Sequence, residues 1–298
     1  MIVRYKAYLA LAILLLMVSD AGATKDNECS GSWLITVHET RTEFTAGNEV
    51  AAWLPAELRL SGALVDCVDY MLIGPGDGSS WWIDSGFERL EVTPYDARRN
   101  PLLIPRQGDG WLLPLPGQQE QHSFWLRVAN ARQAVPGVYR GLIESEPGSR
   151  RISHMPLLRE STALEFVVEP RVSLHLDSLN GGWSGGKNSY FRVGLGVLHS
   201  GLTREFDVVL NSNTDVSLEI SSQNLGLLRH TERYSATIPY QLRVNWQSVD
   251  LTGVGMVHLP RQGNNWRVPM QVSVPYVSDF ALAGEYSDVI TINAYAQE

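Results

Sequence analysis

Apolar and polar residues alternate along most of this chain with a period of two. Ile238, Tyr240, Leu242, Val244 and Trp246 alternate with Pro239, Gln241, Arg243, Asn245 and Gln247. Successive side chains of a strand point to opposite faces, so this run predicts one strand with an apolar and a largely polar side. The same alternation passes through Phe206/Val208/Leu210, Val216/Leu218/Ile220, Val268/Met270/Val272/Val274 and Ile290/Ile292/Ala294. In the first half it covers Trp33/Ile35/Val37, Leu58/Leu60, Phe124/Leu126/Val128 and Leu164/Phe166/Val168. Beyond residue 23, no window of about 12 residues or more carries the 3.6-residue stripe of an amphipathic helix. Turn formers separate the runs: Gly74-Pro75-Gly76-Asp77-Gly78, Gly108-Asp109-Gly110 and Asn211-Ser212-Asn213. Short antiparallel strands joined by such turns predict an all-β sandwich fold.

An internal echo divides the chain. Pro105-Arg106-Gln107-Gly108-Asp109-Gly110-Trp111-Leu112-Leu113-Pro114-Leu115 parallels Pro260-Arg261-Gln262-Gly263-Asn264-Asn265-Trp266-Arg267-Val268-Pro269-Met270. Each copy is followed by alternating residues and then a Gly-x-Tyr, at Gly137-Val138-Tyr139 and Gly284-Glu285-Tyr286. Repetition of that kind predicts two related sandwiches. Their boundary is set at 170, between Glu169-Pro170 and the Gly/Ser-rich stretch 180–186, giving domains 24–170 and 171–298.

Composition narrows the classes. With 298 residues there is chain enough for two cores, and a 19% charged, 44% hydrophobic make-up is neither disordered nor coiled-coil. A net charge of -8 offers no footprint for a phosphate backbone, which excludes nucleic acid as the expected partner. Residues 1–23 read as a signal peptide: basic Arg4 and Lys6, an apolar run from Ala7 to Val18, then Ala21-Gly22-Ala23. That run is shorter than the roughly 18 residues a membrane span needs, although an uncleaved anchor is the alternative. In an exported protein the two cysteines, Cys29 and Cys67, are expected to form one disulfide, with two buried free thiols as the alternative.

No catalytic or metal-binding pattern in the sequence is complete. Gly182-Trp183-Ser184-Gly185-Gly186 fits the G-x-S-x-G expression, but the residues after it read as loop and strand, without the helix that a nucleophile elbow requires. The seven histidines stand singly, without metal-ligand spacing, so no metal and no cofactor is expected. No pair of carboxylates is singled out for acid/base work. Trp81-Trp82 follows the turn at 74–80, and Trp53-Leu54-Pro55 lies in another short connection. Rings at loop tips bury large area at small entropic cost, which makes Trp53, Trp81 and Trp82 the candidate surface-binding residues. Neighbouring strand residues face opposite ways, so at least one of Trp81 and Trp82 is also a candidate for the core.

Residues 205–296 resemble a known family. The run 206–213, then Val216 to His230, Ile238-Pro239-Tyr240-Gln241-Leu242 and Ala283-Gly284-Glu285-Tyr286-Ser287-Asp288-Val289-Ile290-Thr291-Ile292 is similar to pilin domains of the chaperone–usher pathway. The likeness is to the archaic, spore-coat-U-like group and the related colonisation-factor type. The first half shares mainly Pro136-Gly137-Val138-Tyr139-Arg140-Gly141 with the pilin ending.

The resemblance implies immunoglobulin-like sandwiches, the C-terminal one lacking its last strand. An absent strand leaves an apolar groove that another chain fills by β-augmentation. A periplasmic chaperone fills it first, at the outer-membrane usher an adjacent subunit replaces it, and the fibre ends outside the cell. The strand expected from Tyr286 to Tyr295 stops three residues before Glu298, and the mature start Thr24-Lys25-Asp26-Asn27-Glu28-Cys29 is too polar to be donated. These two ends suit a tip adhesin or initiating minor subunit, whose N-terminal domain meets a host or abiotic surface. Two other classes stay open: a periplasmic assembly chaperone, also built from two sandwiches, and a secreted glycan-binding or glycan-active protein.

Overall fold

The computed structural model describes residues 29–39, 42–46, 49–75, 81–105, 110–150, 159–176 and 192–297. The segment 1–23 and the Gly182–Gly186 motif lie outside the described residues. The chain is nearly all β. Its first eleven strands are β1 (Trp33–Val37), β2 (Thr42–Ala46), β3 (Glu49–Leu60), β4 (Tyr70–Gly74), β5 (Trp81–Asp84), β6 (Arg89–Tyr95), β7 (Trp111–Pro114), β8 (Gln121–Val128), β9 (Gly137–Gly148), β10 (Glu160–Val168) and β11 (Val172–Leu176). The rest are β12 (Leu202–Ser212), β13 (Val216–Ser222), β14 (Leu227–His230), β15 (Thr237–Pro239), β16 (Gln241–Val244), β17 (Gln247–Val249), β18 (Val254–Leu259), β19 (Asn265–Val274), β20 (Tyr286–Ser287) and β21 (Ile290–Ala296). Among the described residues one helical turn, α1 (Leu64–Cys67), interrupts them.

Strands β1 to β10 form one antiparallel ladder, ordered β1-β3-β8-β6-β5-β9-β4-β7, with β2 added on β3 and β10 on β9. Strands β1 and β3 to β10 send alternate residues into a single core that includes Ile35, Leu58, Ile73, Trp81, Phe124, Tyr139 and Phe166. A ladder whose strands share one core must fold back over itself, and Gly141 shows how closely it does so: a Cβ there would lie 2.8 Å from Ile83 Cγ2. Cys29 and Cys67 are disulfide-bonded, which rules out the free-thiol alternative and ties the start of the first unit to the end of α1. Both pack against the first core.

The remaining strands enclose a second core that includes Val208, Leu218, Ile238, Leu242, Val257, Trp266 and Met270. They form three sheets, β11-β12-β19-β16-β17, β18-β13-β21 and β15-β14-β20. Strand β19 shows why they form: Trp266, Val268, Met270, Val272 and Val274 are buried while the residues between them are not. Each such side chain withdrawn from water contributes about 1.5–3 kcal/mol.

One expected strand is broken. The alternation over 238–246 is divided between β15 and β16, which belong to different sheets. Pro239 has no N–H to continue a ladder, and Tyr240 N donates instead to Gly226 O, so the chain crosses between sheets there. Trp246 is not an inward residue: it occupies the β16–β17 turn in the left-handed region, φ 65°, and is 64% exposed.

Candidate functional site

A half-covered apolar row aligned with a regular element lies along β21. This strand pairs with β13 from Val216↔Ala296 to Ser222↔Ile290, and among the described residues no strand pairs with its other side. Gln297 N donates to Asp215 O at 2.9 Å and Gln223 N donates to Val289 O at 2.9 Å. In an antiparallel ladder residues bonded to the partner alternate with residues turned away from it. The odd-numbered residues therefore bond β13, while the N–H and C=O groups of Ile290, Ile292, Ala294 and Ala296 point to the open edge. Their side chains face the second core, yet all four remain half-buried. Val216, Leu218 and Ile220 on the neighbouring strand are 0% exposed. Among the described residues β13 is paired on both sides, by β18 and β21, whereas β21 is paired on one side only.

The opposite flank belongs to β11. This strand pairs only with β12 among the described residues, and its inward Val172 and Leu174 are also half-buried. Among the described residues β11 and β21 are thus two edges without a further strand partner, both packed on the second core.

Both ends of β21 are held. At its entrance the Asp288 carboxylate accepts from Ser222 Oγ and Tyr240 OH, each at 2.5 Å, and from the backbone N–H groups of Asn224 (3.0 Å) and Val289 (2.8 Å). Burial, then the bond to Asp288, pushes the Tyr240 phenol well above its ordinary range, so it stays a donor. At its exit Thr214 Oγ1 donates to Gln297 O at 2.7 Å. Bonds at both ends hold the strand extended.

The aromatic candidates separate. Trp81 is not a surface residue: it is 1% exposed, and its ring lies 6.3 Å from that of Trp111 in the first core. Strand alternation sends Trp81 inward and Trp82 outward, and Trp82 is 47% exposed. Trp53 is half-buried on the outer side of β3, edge-on to Tyr95 with ring centroids 4.7 Å apart. The Arg99 guanidinium lies 5.2 Å from the Trp53 ring and 4.4 Å from that of Trp125. Its loop is built by Asp96, whose carboxylate accepts from Arg98 N and Asn100 N, both at 2.8 Å. Trp53 and Trp82 stand on different strands, β3 and β5.

Sequence reasoning did not single out Asp288, Tyr240 or Ser222 as a cluster. Asp288 lies within the pilin-like run, but its partners come from other strands, and no spacing in the sequence announces such a meeting.

No family model matches the chain, and no curated protein matches it. Solved structures that it resembles come from chaperone–usher adhesins. The CsuC–CsuE chaperone–tip adhesion subunit complex of Acinetobacter baumannii Csu pili matches at 11% identity and TM-score 0.41, over 86% of this chain and 91% of that one. The CupB6 tip adhesin of Pseudomonas aeruginosa matches at 10% identity and TM-score 0.36, over 89% of this chain and 94% of that one. A mutant of the CFA/I adhesin CfaE of enterotoxigenic E. coli matches at 10% identity and TM-score 0.39, over 90% and 88%.

Proposed function

We propose that this chain is an adhesive subunit of a chaperone–usher pilus. Its second unit, 171–298, is joined to the fibre by taking up a β-strand from another chain, and its first unit, 24–170, contacts a surface. The observation that carries this reading is the edge of β21 that no strand pairs among the described residues: the backbone groups of Ile290, Ile292, Ala294 and Ala296 face that edge, while their side chains, turned to the second core, are only half-buried. A strand laid there satisfies the backbone groups and covers the side chains at once.

In this reading residues 1–23 direct export through the periplasm. A periplasmic chaperone covers the edge first, and at the outer-membrane usher an adjacent subunit replaces it with its own strand. Two units, one joined and one presented, suit the extracellular tip of the fibre. Exposed Trp82 and half-buried Trp53 are the side chains offered to the surface ligand. Binding and strand addition need no turnover.

The test uses the mature chain with a synthetic peptide of alternating apolar and polar residues. Backbone hydrogen exchange along 290–296 should slow, and the melting temperature should rise with peptide concentration. A scrambled peptide of the same composition is the control. Unchanged exchange along β21 at saturating peptide would refute strand uptake.

A further inference from the structure

The turn between β12 and β13, residues 213–215, holds three parts of the molecule at once. Asn213 is 2% exposed. Its Nδ2 donates to Ala134 O at 3.1 Å and to Glu169 O at 3.0 Å, while its Oδ1 accepts from Arg171 N at 2.8 Å. Only the amide nitrogen can serve two carbonyls, so the orientation of this side chain is set by its partners. One residue of the second unit thereby grips a loop of the first unit and the segment connecting them.

Arg261, from the turn between β18 and β19, reinforces the same seam. Its Nη2 donates to Gln133 O at 3.0 Å and to Asn264 Oδ1 at 2.6 Å, and its backbone N–H reaches Asp215 Oδ1 at 2.8 Å. On the other side the loop is itself anchored, because Glu88 Oε2 accepts from Val135 N at 2.7 Å and from Tyr139 OH at 3.0 Å. The two residues after Asn213 hold the exit of β21, through Thr214 Oγ1 to Gln297 O and Gln297 N to Asp215 O. Polar bonds therefore run without a break from the last strand through 213–215 to residues 133–135.

We infer that this turn is a coupling joint: it locks the two units in one orientation, and it passes the ordering of β21 by an added strand on to loop 133–135. An edge strand covered on one side opens locally more often than one covered on both. When the exit of β21 opens, Thr214 and Asp215 lose partners, and the grip of Asn213 and Arg261 on the first unit loosens with them. A strand that suppresses this opening tightens the joint, and by linkage the coupling is reciprocal. The locking half stands independently of strand uptake; the second half rests on the function proposed above.

The experiment uses the full mature chain, the variants Asn213→Ala and Asn213→Asp, and Arg261→Gln as a second site outside both cores. Asn213→Asp preserves shape but turns an oxygen toward two carbonyls. Spin labels replacing exposed Arg98 and Ser248 report the distance between units by pulsed EPR. A narrow distribution in the parent and broad ones in all three variants are expected; equally narrow distributions in the variants would overturn the lock. Hydrogen exchange is then followed with the alternating peptide. In the parent, exchange at Ala134 and Val135 should slow about fivefold or more together with 290–296, and in Asn213→Ala only 290–296 should slow. Protection of 290–296 without 134–135 in the parent overturns the coupling and leaves strand uptake standing. Protection of neither defeats strand uptake and with it the coupling, while the lock is judged by the distances alone.

Discussion

Tyr240 and Asp288 meet at the edge of the second core with 2.5 Å between phenol oxygen and carboxylate oxygen. Tyr240 sits where the chain crosses between sheets, and Asp288 sits just before the last strand, so this bond sets where β21 begins. Tyr240→Phe leaves the ring in place and removes one of four donors to the carboxylate. A hydrogen bond to a charged group is worth about 1.5–3 kcal/mol, and the variant should lose that much stability in urea denaturation. A double-mutant cycle with Asp288→Asn should return a coupling energy of the same sign.

Tyr139 predicts alkaline sensitivity of the first unit. Its phenol is pushed up to about 12, by burial first and by the Glu88 carboxylate as well. A raised folded-state value means that its contribution to stability is whole below the unfolded value of about 10. The contribution then falls as pH climbs from there toward about 12. Stability of the parent chain should decline across that window, and Tyr139→Phe should flatten the decline. An equal slope in both proteins would contradict the assignment.

Adjacent tryptophans should behave oppositely. Trp81→Ala empties space in the first core and should cost about 3–5 kcal/mol. Trp82→Ala removes an exposed ring and should change stability by no more than about 0.5 kcal/mol. If Trp82 meets the surface ligand, adhesion falls in the second variant while its urea midpoint stays put.

Trp246 occupies a left-handed turn position with its ring exposed. A side chain with a Cβ is strained there by roughly 1–2 kcal/mol, whereas glycine is not. Trp246→Gly creates the favoured Asn-Gly hairpin pair and should stabilise the chain by about 1 kcal/mol in thermal melts. A fall in stability would show that the exposed ring makes contacts that outweigh the strain.

Period-two alternation is a local property, and it carried the all-β class and most inward residues, while the pairing of Cys29 with Cys67 followed from there being two cysteines in a chain expected to be exported. Phe124, Leu126 and Val128 point inward for the same reason as Val268, Met270 and Val272: the pleat allows each residue one of two sides. It left open which of Trp81 and Trp82 lies inside, although Ile83 shares a side with Trp81 and Asp84 shares one with Trp82 in that four-residue strand. It also ran one strand across 238–246, where a proline and a change of hydrogen-bond partner divide the chain between sheets. The pairing of β21 with β13, the carboxylate of Asp288 with its four donors and the grip of Asn213 on Ala134 join segments far apart in the chain. Their existence depends on how sheets stack and which edges remain unpaired, a property of the whole folded arrangement that no stretch of residues contains.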